Sequence, residues 1–354
     1  MRRITIQDIA DKAGVSKMTV SLALRYQAGV SERTRERILK LAKEMGYHPD
    51  AMLSSLSAYR RSIKPVNYTG TIAWLTMGES RNAWKHGWRG ILEMYDGALE
   101  QAGKLGYKLE SFWLDEPNMT HERLSAILRS RNIQGVVILA HPGPGIKLYL
   151  NWPALSCVCL CHSLAEPHLH ALNDDSFYGM AYAVQQLADR GFRRIGLHLS
   201  DVAHERVLSS WKGSYYTTTR DYGLMDHVPI LTLARGQKSD FLKWYHQHQP
   251  EAVVSYAADA CIEWFKSEGI QVPRDVSVVS IGVEGEPEIS GIKQACFAIG
   301  QGSVDKLIGM IRSGEVGIPK APMNILIEGH WNEGKSIGWP KGKEGAPREA
   351  SGPK

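Results

Sequence analysis

The chain has 354 residues, 43% of them hydrophobic, and a formal net charge of +5. This length and composition exclude an intrinsically disordered protein and allow two or three domains with separate cores. We find no stretch of about 18 apolar residues and no apolar segment after the N-terminal basic residues, so we expect a cytoplasmic protein without a membrane partner.

The first 46 residues predict three short helices. Thr5 and the acid three residues later have the spacing of a capping box, so the first helix should begin there. Gly14 provides a sharp turn, and Ser16 should cap a second helix. A third helix should follow Ser31 and end at Gly46. This order indicates a DNA-binding helix-turn-helix.

The second of these helices is expected to read DNA. Val20, Ala23 and Leu24 have the spacing of a buried stripe, which leaves the side chains between them free to contact bases and phosphates. Residues 1–64 contain 13 Lys or Arg and 6 Asp or Glu. Such basic charge disfavours the alternative that two ordinary surface helices meet here. The candidate DNA-binding residues of this region are Thr5, Ser16, Lys17, Met18, Thr19, Ser21, Leu22 and Arg25.

From Tyr68 onward, apolar strands alternate with helices, and this β-α-β order predicts parallel sheets in two lobes. The main predicted strands are 71–76, 135–140, 194–199, 251–256 and 276–281. The predicted helices are 90–105, 121–129, 177–190 and 299–311.

Seven sequence runs of this chain resemble those of one protein family. They are IQDIADKAGVSKMTVS, VSERTRERI and GYHP near the N-terminus, and NDDSFYG, RGFRRIG, PRDVSVV and IGQGSVDKL farther along. Together, over about residues 3–337, they resemble the LacI/GalR (lactose-repressor) family.

The resemblance implies three parts and a tail. They are an all-α helix-turn-helix headpiece (1–46), a hinge helix with its linker (47–66), an α/β effector-binding and dimerisation domain (67–337) and a disordered tail (338–354). The α/β domain would consist of two doubly wound lobes like those of periplasmic binding proteins. Lobe one would comprise about 67–162 and 293–325, and lobe two 163–292 and 326–337.

The resemblance also implies how the protein acts. We expect a homodimer that binds a pseudo-palindromic double-stranded DNA operator, most often as a repressor associated with the nucleoid. A small molecule, usually sugar-like in this family, would bind between the lobes and switch operator affinity. A periplasmic solute-binding protein is the alternative, and it is disfavoured by the DNA module at the start of the chain.

Two departures concern the DNA-binding region. Leu22 occupies the position of the arginine that usually follows Thr-Val-Ser in the family, so the preferred operator should differ. In the hinge, Leu53 replaces the family's usual alanine and is a second apolar candidate beside Leu56, which matches the leucine that wedges between base pairs. The alternative is that both leucines pack the hinge helix against that of a dimer partner.

The effector candidates follow the predicted strands, where ligands bind in such folds. Arg206 resembles the family's pocket arginine, and Asp259 matches its acid after a strand, although a solvated arginine and a helix-capping aspartate are equally open. Where the family usually has a further aspartate, this chain has Gly282, with Glu284 two residues later. The tryptophans are candidates for stacking on a sugar, against the alternative of core packing, and the histidine follows a strand end. The set is Trp84, Trp88, His141, Arg206, Trp211, Asp259 and Glu284.

We expect no metal, cofactor or catalytic residue. Cys157, Cys159 and Cys161 alternate as on a strand and should place their sulfurs on one face. Core packing is favoured over metal binding, because the sulfurs would be about 7 Å apart. The chain also lacks the common nucleophile, zinc-protease and phosphate-binding motifs.

Overall fold

The computed structural model describes nine segments of the chain: residues 4–24, 29–47, 70–139, 146–162, 164–200, 207–224, 228–233, 237–283 and 288–340. Nearly all of the predicted hinge, most of the tail and six predicted site residues lie outside the described residues. Those six are Arg25, Leu53, Leu56, His141, Arg206 and Glu284.

The N-terminal helices form a small three-helix domain, here termed the headpiece. Its helices are α1 (Ile6–Ala13), α2 (Lys17–Leu24) and α3 (Glu32–Glu44). They share one core around Ile9, Val20 and Ile38, each of which is 0% exposed. Burial of apolar side chains on one face of each helix is the main stabilising contribution in a domain this small.

The predicted helix caps of the headpiece are confirmed. The backbone N–H of Thr5 donates to the Asp8 carboxylate at 2.7 Å, and the Thr5 hydroxyl accepts from the backbone N–H of Asp8 at 3.3 Å. Gly14 ends α1 in the left-handed conformation at φ 65°. The Ser16 hydroxyl then accepts from the backbone N–H of Thr19 at 3.0 Å, which fixes the start of α2.

A hydrogen bond between residues distant in sequence connects α3 to the turn after α1. The sequence pattern does not predict it. The Arg37 guanidinium donates to the backbone carbonyl of Ala13 at 3.0 Å, close to the end of α1. Arg35 on the same helix is buried and pairs with Glu32 at 2.8 Å. These contacts satisfy carbonyl and guanidinium groups that the small core cannot accommodate unpaired.

Strands and helices alternate through the rest of the described chain. The strands are β1 (Gly70–Thr76), β2 (Tyr107–Trp113), β3 (Gly135–Ile138), β4 (Ile146–Lys147), β5 (Ser156–Leu160), β6 (Leu164–Glu166), β7 (His170–Asp174), β8 (Ile195–Ser200), β9 (Leu231–Leu233), β10 (Ala252–Ser255), β11 (Ser277–Ser280), β12 (Gly291–Lys293), β13 (Asn324–Ile327) and β14 (His330–Asn332). The helices are α4 (Arg89–Lys104), α5 (His121–Ser130), α6 (Ser176–Asp189), α7 (Ser210–Asp221), α8 (Lys238–His248), α9 (Ala258–Ser267) and α10 (Cys296–Ser313).

These elements build two six-stranded sheets and a two-stranded sheet of β4 and β6. One six-stranded sheet has the strand order β13-β7-β5-β3-β1-β2, and the other β14-β12-β11-β10-β8-β9. The pairs of β1 with β2 and β3, and of β10 with β8 and β11, are parallel, whereas β14 runs antiparallel to β12. The described structure therefore confirms the predicted helical headpiece followed by an α/β domain with parallel sheets.

The chain divides into two compact units. The first comprises Met1–Leu172 and Phe297–Ile325, and the second Asn173–Cys296 and Leu326–Lys354. Sequence analysis expected lobe one to end at residue 162, but β7 pairs in parallel with β5 and continues the first sheet. The first unit therefore extends to Leu172, because the hydrogen-bonded ladder continues beyond the predicted boundary.

The cysteines of β5 pack in the core of the first unit. Cys157 and Cys159 are buried among Leu124, Leu128 and their neighbours, as the packing interpretation predicts. Cys161 lies beyond the strand with φ 60°, so the alternation does not extend to the third sulfur. Among the described residues, no three metal-ligating side chains are placed to hold an ion, and no described helix is long and apolar enough to cross a membrane.

Two glycines allow α4 and α10 to approach closely. A methyl group on Gly97 would overlap the backbone of Phe297, and one on Gly300 would overlap the carbonyl of Met94. Gly309 lies on the same helix as Gly300, is exposed, and has open space around its Cα. The helix crossing therefore depends on the missing side chains at positions 97 and 300.

Gly300→Ala should lower the free energy of unfolding by about 2–3 kcal/mol, because the added methyl group forces α4 and α10 apart. Gly309→Ala on the same helix should raise it by about 0.5–1 kcal/mol, since alanine favours an exposed helix interior. Urea unfolding of both variants measures this difference. Equal effects at the two positions would contradict a close helix crossing.

Candidate nucleic-acid interface

The solvent-facing side of α2 is the candidate base-reading surface. Val20 and Ala23 turn inward and are fully buried, whereas Lys17 is exposed and Met18 is 69% exposed. Ser21 is half-buried on the same helix. An α-helix of this size fits the major groove of B-form DNA, where base edges can be distinguished.

Three of the four predicted hydroxyl contacts are already engaged within the headpiece. The Thr5 hydroxyl lies 2.7 Å from the Asp8 carboxylate. The hydroxyls of Ser16 and Thr19 lie 2.9 Å apart at the start of α2. These side chains therefore stabilise the helix starts, and a role in contacting DNA stays a prediction.

Leu22, the position at which this chain departs from the usual arginine, packs within the headpiece. Its Cδ1 lies 3.6 Å from the point that a Cβ on Gly29 would occupy, and its side chain is half-buried. Gly29 has φ 99°, a conformation that favours glycine. Leu22 thus covers the loop before α3, which limits how far it can reach toward a base.

The basic charge of the headpiece lies at its surface. Exposed ammonium and guanidinium groups attract phosphate without reading sequence, and this attraction weakens as salt rises. Among the described residues of the headpiece, the exposed basic side chains are Lys12, Lys17, Arg33, Arg37, Lys40 and Lys43.

In the first unit, Trp84 is a core residue rather than an open stacking surface. It lies on the short helical turn after β1 and is buried, with its ring centroid 6.3 Å from that of Trp74 and 4.9 Å from that of Tyr95. The indole nitrogens of Trp74 and Trp84 have no hydrogen-bond partner among the described residues. Trp88, just before α4, is half-buried. The packing alternative therefore describes Trp84.

The two candidates of the second unit differ in burial. Trp211 on α7 is buried in the core, with its ring centroid 5.2 Å from that of Tyr256. Asp259 is exposed in the first turn of α9, where the helix dipole stabilises a carboxylate. It does not cap the helix, because the N-cap residue is Ala257. The capping alternative for Asp259 is therefore wrong.

Residues that follow the parallel strands of the second unit form a group that sequence analysis did not assemble. Tyr256 follows β10, Gly282 follows β11 and Gln294 follows β12. A Cβ on Gly282 would lie 2.8 Å from Cε2 of Tyr256 and 3.7 Å from Oε1 of Gln294. The tyrosine ring therefore occupies the space beside the position where the family usually has an aspartate. With Trp211 and Asp174, these residues are termed the strand-end cluster.

Asp174 gives the strand-end cluster a carboxyl group with a perturbed pKa. One carboxylate oxygen accepts from the Gln294 amide at 3.1 Å and from the Ser176 hydroxyl at 3.4 Å. The other oxygen is buried without a hydrogen-bond partner among the described residues. Burial raises the pKa of Asp174 to about 6, and Asp175 next to it also raises it. The run NDDSFYG contained this residue, but burial could not be read from it.

A second cluster of polar side chains in this unit is buried and unreactive. His198 Nδ1 lies 2.9 Å from the Ser255 hydroxyl and 3.4 Å from Cys261 Sγ, and all three residues are buried. Burial lowers the pKa of His198 to about 4 and raises the pKa of Cys261 to about 12. Both groups are neutral near pH 7, so the trio lacks the thiolate that a cysteine nucleophile needs.

Two protein-family models match the chain in an order that fits this geometry. The model of bacterial regulatory proteins of the lacI family matches residues 5–50, and that of the periplasmic binding protein-like domain matches residues 184–337.

Curated relatives match over most of their length. The HTH-type transcriptional regulator GntR of Escherichia coli K12 is 25% identical over 338 residues, which cover 90% of this chain and 95% of that protein. The NTD biosynthesis operon regulator NtdR of Bacillus subtilis is 25% identical over 345 residues, covering 91% of this chain and 98% of that protein.

Solved structures share the fold. A complex of the transcriptional regulator CelR with cellobiose has a TM-score of 0.56 at 21% identity and covers 94% of this chain and 100% of that one. The lac repressor dimer bound to operator and the anti-inducer ONPF has a TM-score of 0.55 at 18% identity, covering 95% and 99%.

A capped helix-turn-helix with an exposed α2, joined to a periplasmic-binding-type α/β domain, defines a DNA-binding transcriptional regulator. The chain has a DNA-binding region that matches the lacI family of bacterial regulatory proteins, followed by a periplasmic binding protein-like domain.

The perturbed carboxyl group predicts a pH dependence of stability. The folded protein holds the Asp174 proton with a pKa of about 6, against 3.8 for the ordinary group, so this residue favours folding below pH 4 and loses that contribution as pH rises through 6. Asp174→Asn should remove this loss, so that its stability relative to wild type rises by about 1.5 kcal/mol as pH increases from 5 to 8. Urea unfolding across this range measures it.

The control for this experiment is Glu263→Gln, a change at an exposed carboxylate within α9 of the same unit. A difference in the free energy of unfolding between Asp174→Asn and wild type that is the same at every pH would contradict the perturbed pKa.

Proposed function

We propose that this protein is a transcriptional repressor whose operator affinity is switched by a small molecule, a carbohydrate or a derivative of one. One observation carries the DNA-binding half of this proposal. The core of the headpiece holds α2 so that Lys17 and Met18 face solvent together. The α/β domain that follows supplies the ligand-binding half.

The operator that we propose is a pseudo-palindromic duplex bound by a homodimer. A single short recognition helix reads only a few base pairs, so two copies related by a two-fold axis would double the site. The predicted DNA contacts of α2, Thr5 and Arg25, and the predicted hinge contacts of Leu53 and Leu56, belong to this proposal.

The strand-end cluster is our candidate for the effector-binding surface of the second unit. The other predicted effector contacts, which stay predictions, are Trp88, His141, Arg206, Asp259 and Glu284. The support for this cluster is a carboxylate oxygen of Asp174 without a partner among the described residues, together with the aromatic ring of Tyr256 at the neighbouring strand ends. A sugar offers hydroxyl donors for such an oxygen and an apolar face for such a ring. The carbohydrate class is also supported by relatives, since a CelR structure contains cellobiose and a CCPA structure contains glucose.

A ligand switches DNA binding only if it binds one conformation of the protein better than another. Reciprocal linkage then requires that operator DNA change the affinity for the ligand by the same factor. In this proposal the strand-end cluster supplies the differential contacts and the headpiece supplies the readout.

Lys17→Ala should weaken binding to a selected operator and to random duplex alike, because an ammonium group acts mainly on phosphate. The slope of log K against log salt should become shallower by about 1 for each phosphate that the lysine neutralises. Fluorescence anisotropy at several salt concentrations measures both effects, with Lys335→Ala, at an exposed lysine of the second unit, as the control. Wild-type protein that prefers no duplex over random DNA would contradict the proposal.

A carbohydrate that binds should raise the thermal midpoint by several degrees, since a hundredfold excess over Kd stabilises by about 2.7 kcal/mol. Cellobiose and glucose are the first probes, with purines and nucleosides as the comparison class. Asp174→Asn should reduce the shift and leave DNA binding without ligand unchanged. Shifts by purines alone would contradict a carbohydrate effector, and a ligand without effect on operator affinity would contradict the switch.

A further inference from the structure

The headpiece exposes one large apolar side chain, and it does so on the helix that faces DNA. Among the described residues of the headpiece, Met18 is the one large hydrophobic residue that is exposed. The other apolar residues of α1, α2 and α3 are buried or half-buried, most of them in one core. An apolar side chain in water on a small, well-packed domain points to a contact made in a complex.

The neighbours of Met18 narrow what it can contact. Leu22 is turned onto Gly29, and Ser21 is half-buried. Lys17 is exposed, and its ammonium group favours phosphate or the acceptor atoms of guanine. Met18 is therefore the apolar group of α2 that is free to reach a base edge.

The major groove offers one common apolar partner to such a side chain. Thymine presents a C5 methyl group there, whereas the other three unmodified bases present hydrogen-bond donors and acceptors or a C–H edge. Methionine is unbranched and flexible, so it can adapt to a methyl group at the base of the groove. Its thioether is only a weak hydrogen-bond acceptor, which disfavours readout of guanine or adenine by hydrogen bonds.

We propose that Met18 determines operator specificity by packing on the methyl group of a thymine in each half-site. This inference rests on the proposed DNA-binding function and adds the chemistry of the base that α2 selects.

The experiment uses the full-length protein and a duplex selected from a random-sequence pool. Each thymine of the selected duplex is replaced in turn by deoxyuridine, which lacks only the methyl group. One position in each half-site should weaken wild-type binding roughly fourfold, and replacement in both half-sites roughly fifteenfold, as expected when one buried methyl group is removed from each half-site.

Variants of the protein assign the effect to Met18. Met18→Ala should bind the thymine and uracil duplexes equally, whereas Met18→Leu should retain a preference for thymine. Lys17→Ala is the matched control, and it should weaken both duplexes by the same factor. Since Met18 is exposed, the thermal midpoints of its variants should equal that of wild type.

The outcomes separate this inference from the proposed function. If wild-type protein selects a duplex but discriminates thymine from uracil nowhere, or if Met18→Ala discriminates as well as wild type, the role of Met18 is wrong and DNA binding stands. If no duplex is enriched over random sequence, both the inference and the proposed function fail.

Discussion

Burial of Val20 and Ala23 on α2 fixes the surface that this protein shows to DNA. Successive residues of an α-helix are roughly 100° apart, so packing these two positions against Ile9 and Ile38 determines the rotation of the whole helix. Positions 17 and 18 then face solvent. A substitution that turned α2 by one residue would bury Lys17 or Met18 and abolish the surface, even if the helix itself still formed.

The features that could be predicted from sequence are those set by short-range physics. The Thr5 cap, the Gly14 turn and the Ser16 cap each depend on residues within three positions, and the structure has all three. The alternation of strands and helices was equally local, because each element repeats its own hydrophobic period. These signals were sufficient for the order of elements and for the fold class.

The features that could not be predicted depend on residues distant in sequence or on a geometry that the pattern hides. Leu22 looked free by helical spacing, but it covers Gly29 on the loop that returns to α3. Cys161 continued an alternating pattern, yet the strand ends at Leu160 and the backbone turns. Burial raises the pKa of Asp174, and the amide that donates to its carboxylate belongs to Gln294, more than a hundred residues away. Sequence alone contains no measure of such burial.

The effector region shows how the residues at two neighbouring strand ends are coupled. Gly282 lacks the carboxylate that the family usually has there, and the ring of Tyr256 lies in the space that a side chain would need. Restoring an aspartate would therefore require the ring to move, so the two positions have to change together. Asp174 keeps a carboxylate in the same cluster, and one of its oxygens accepts a hydrogen bond from the amide of Gln294.

A recognition helix that reads a methyl group discriminates less than one that uses an arginine fork. A methyl group packed against an apolar side chain contributes roughly 0.8 kcal/mol, whereas a bidentate pair contributes about 1–3 kcal/mol per base. Under our assignment of Met18, each half-site therefore adds little specificity, and the protein would depend on two half-sites bound together. Weak readout at each half-site also lowers the difference in binding free energy that the effector must supply. Because the margin between operator and random DNA is then small, a modest difference in ligand affinity between two conformations would suffice to release the operator.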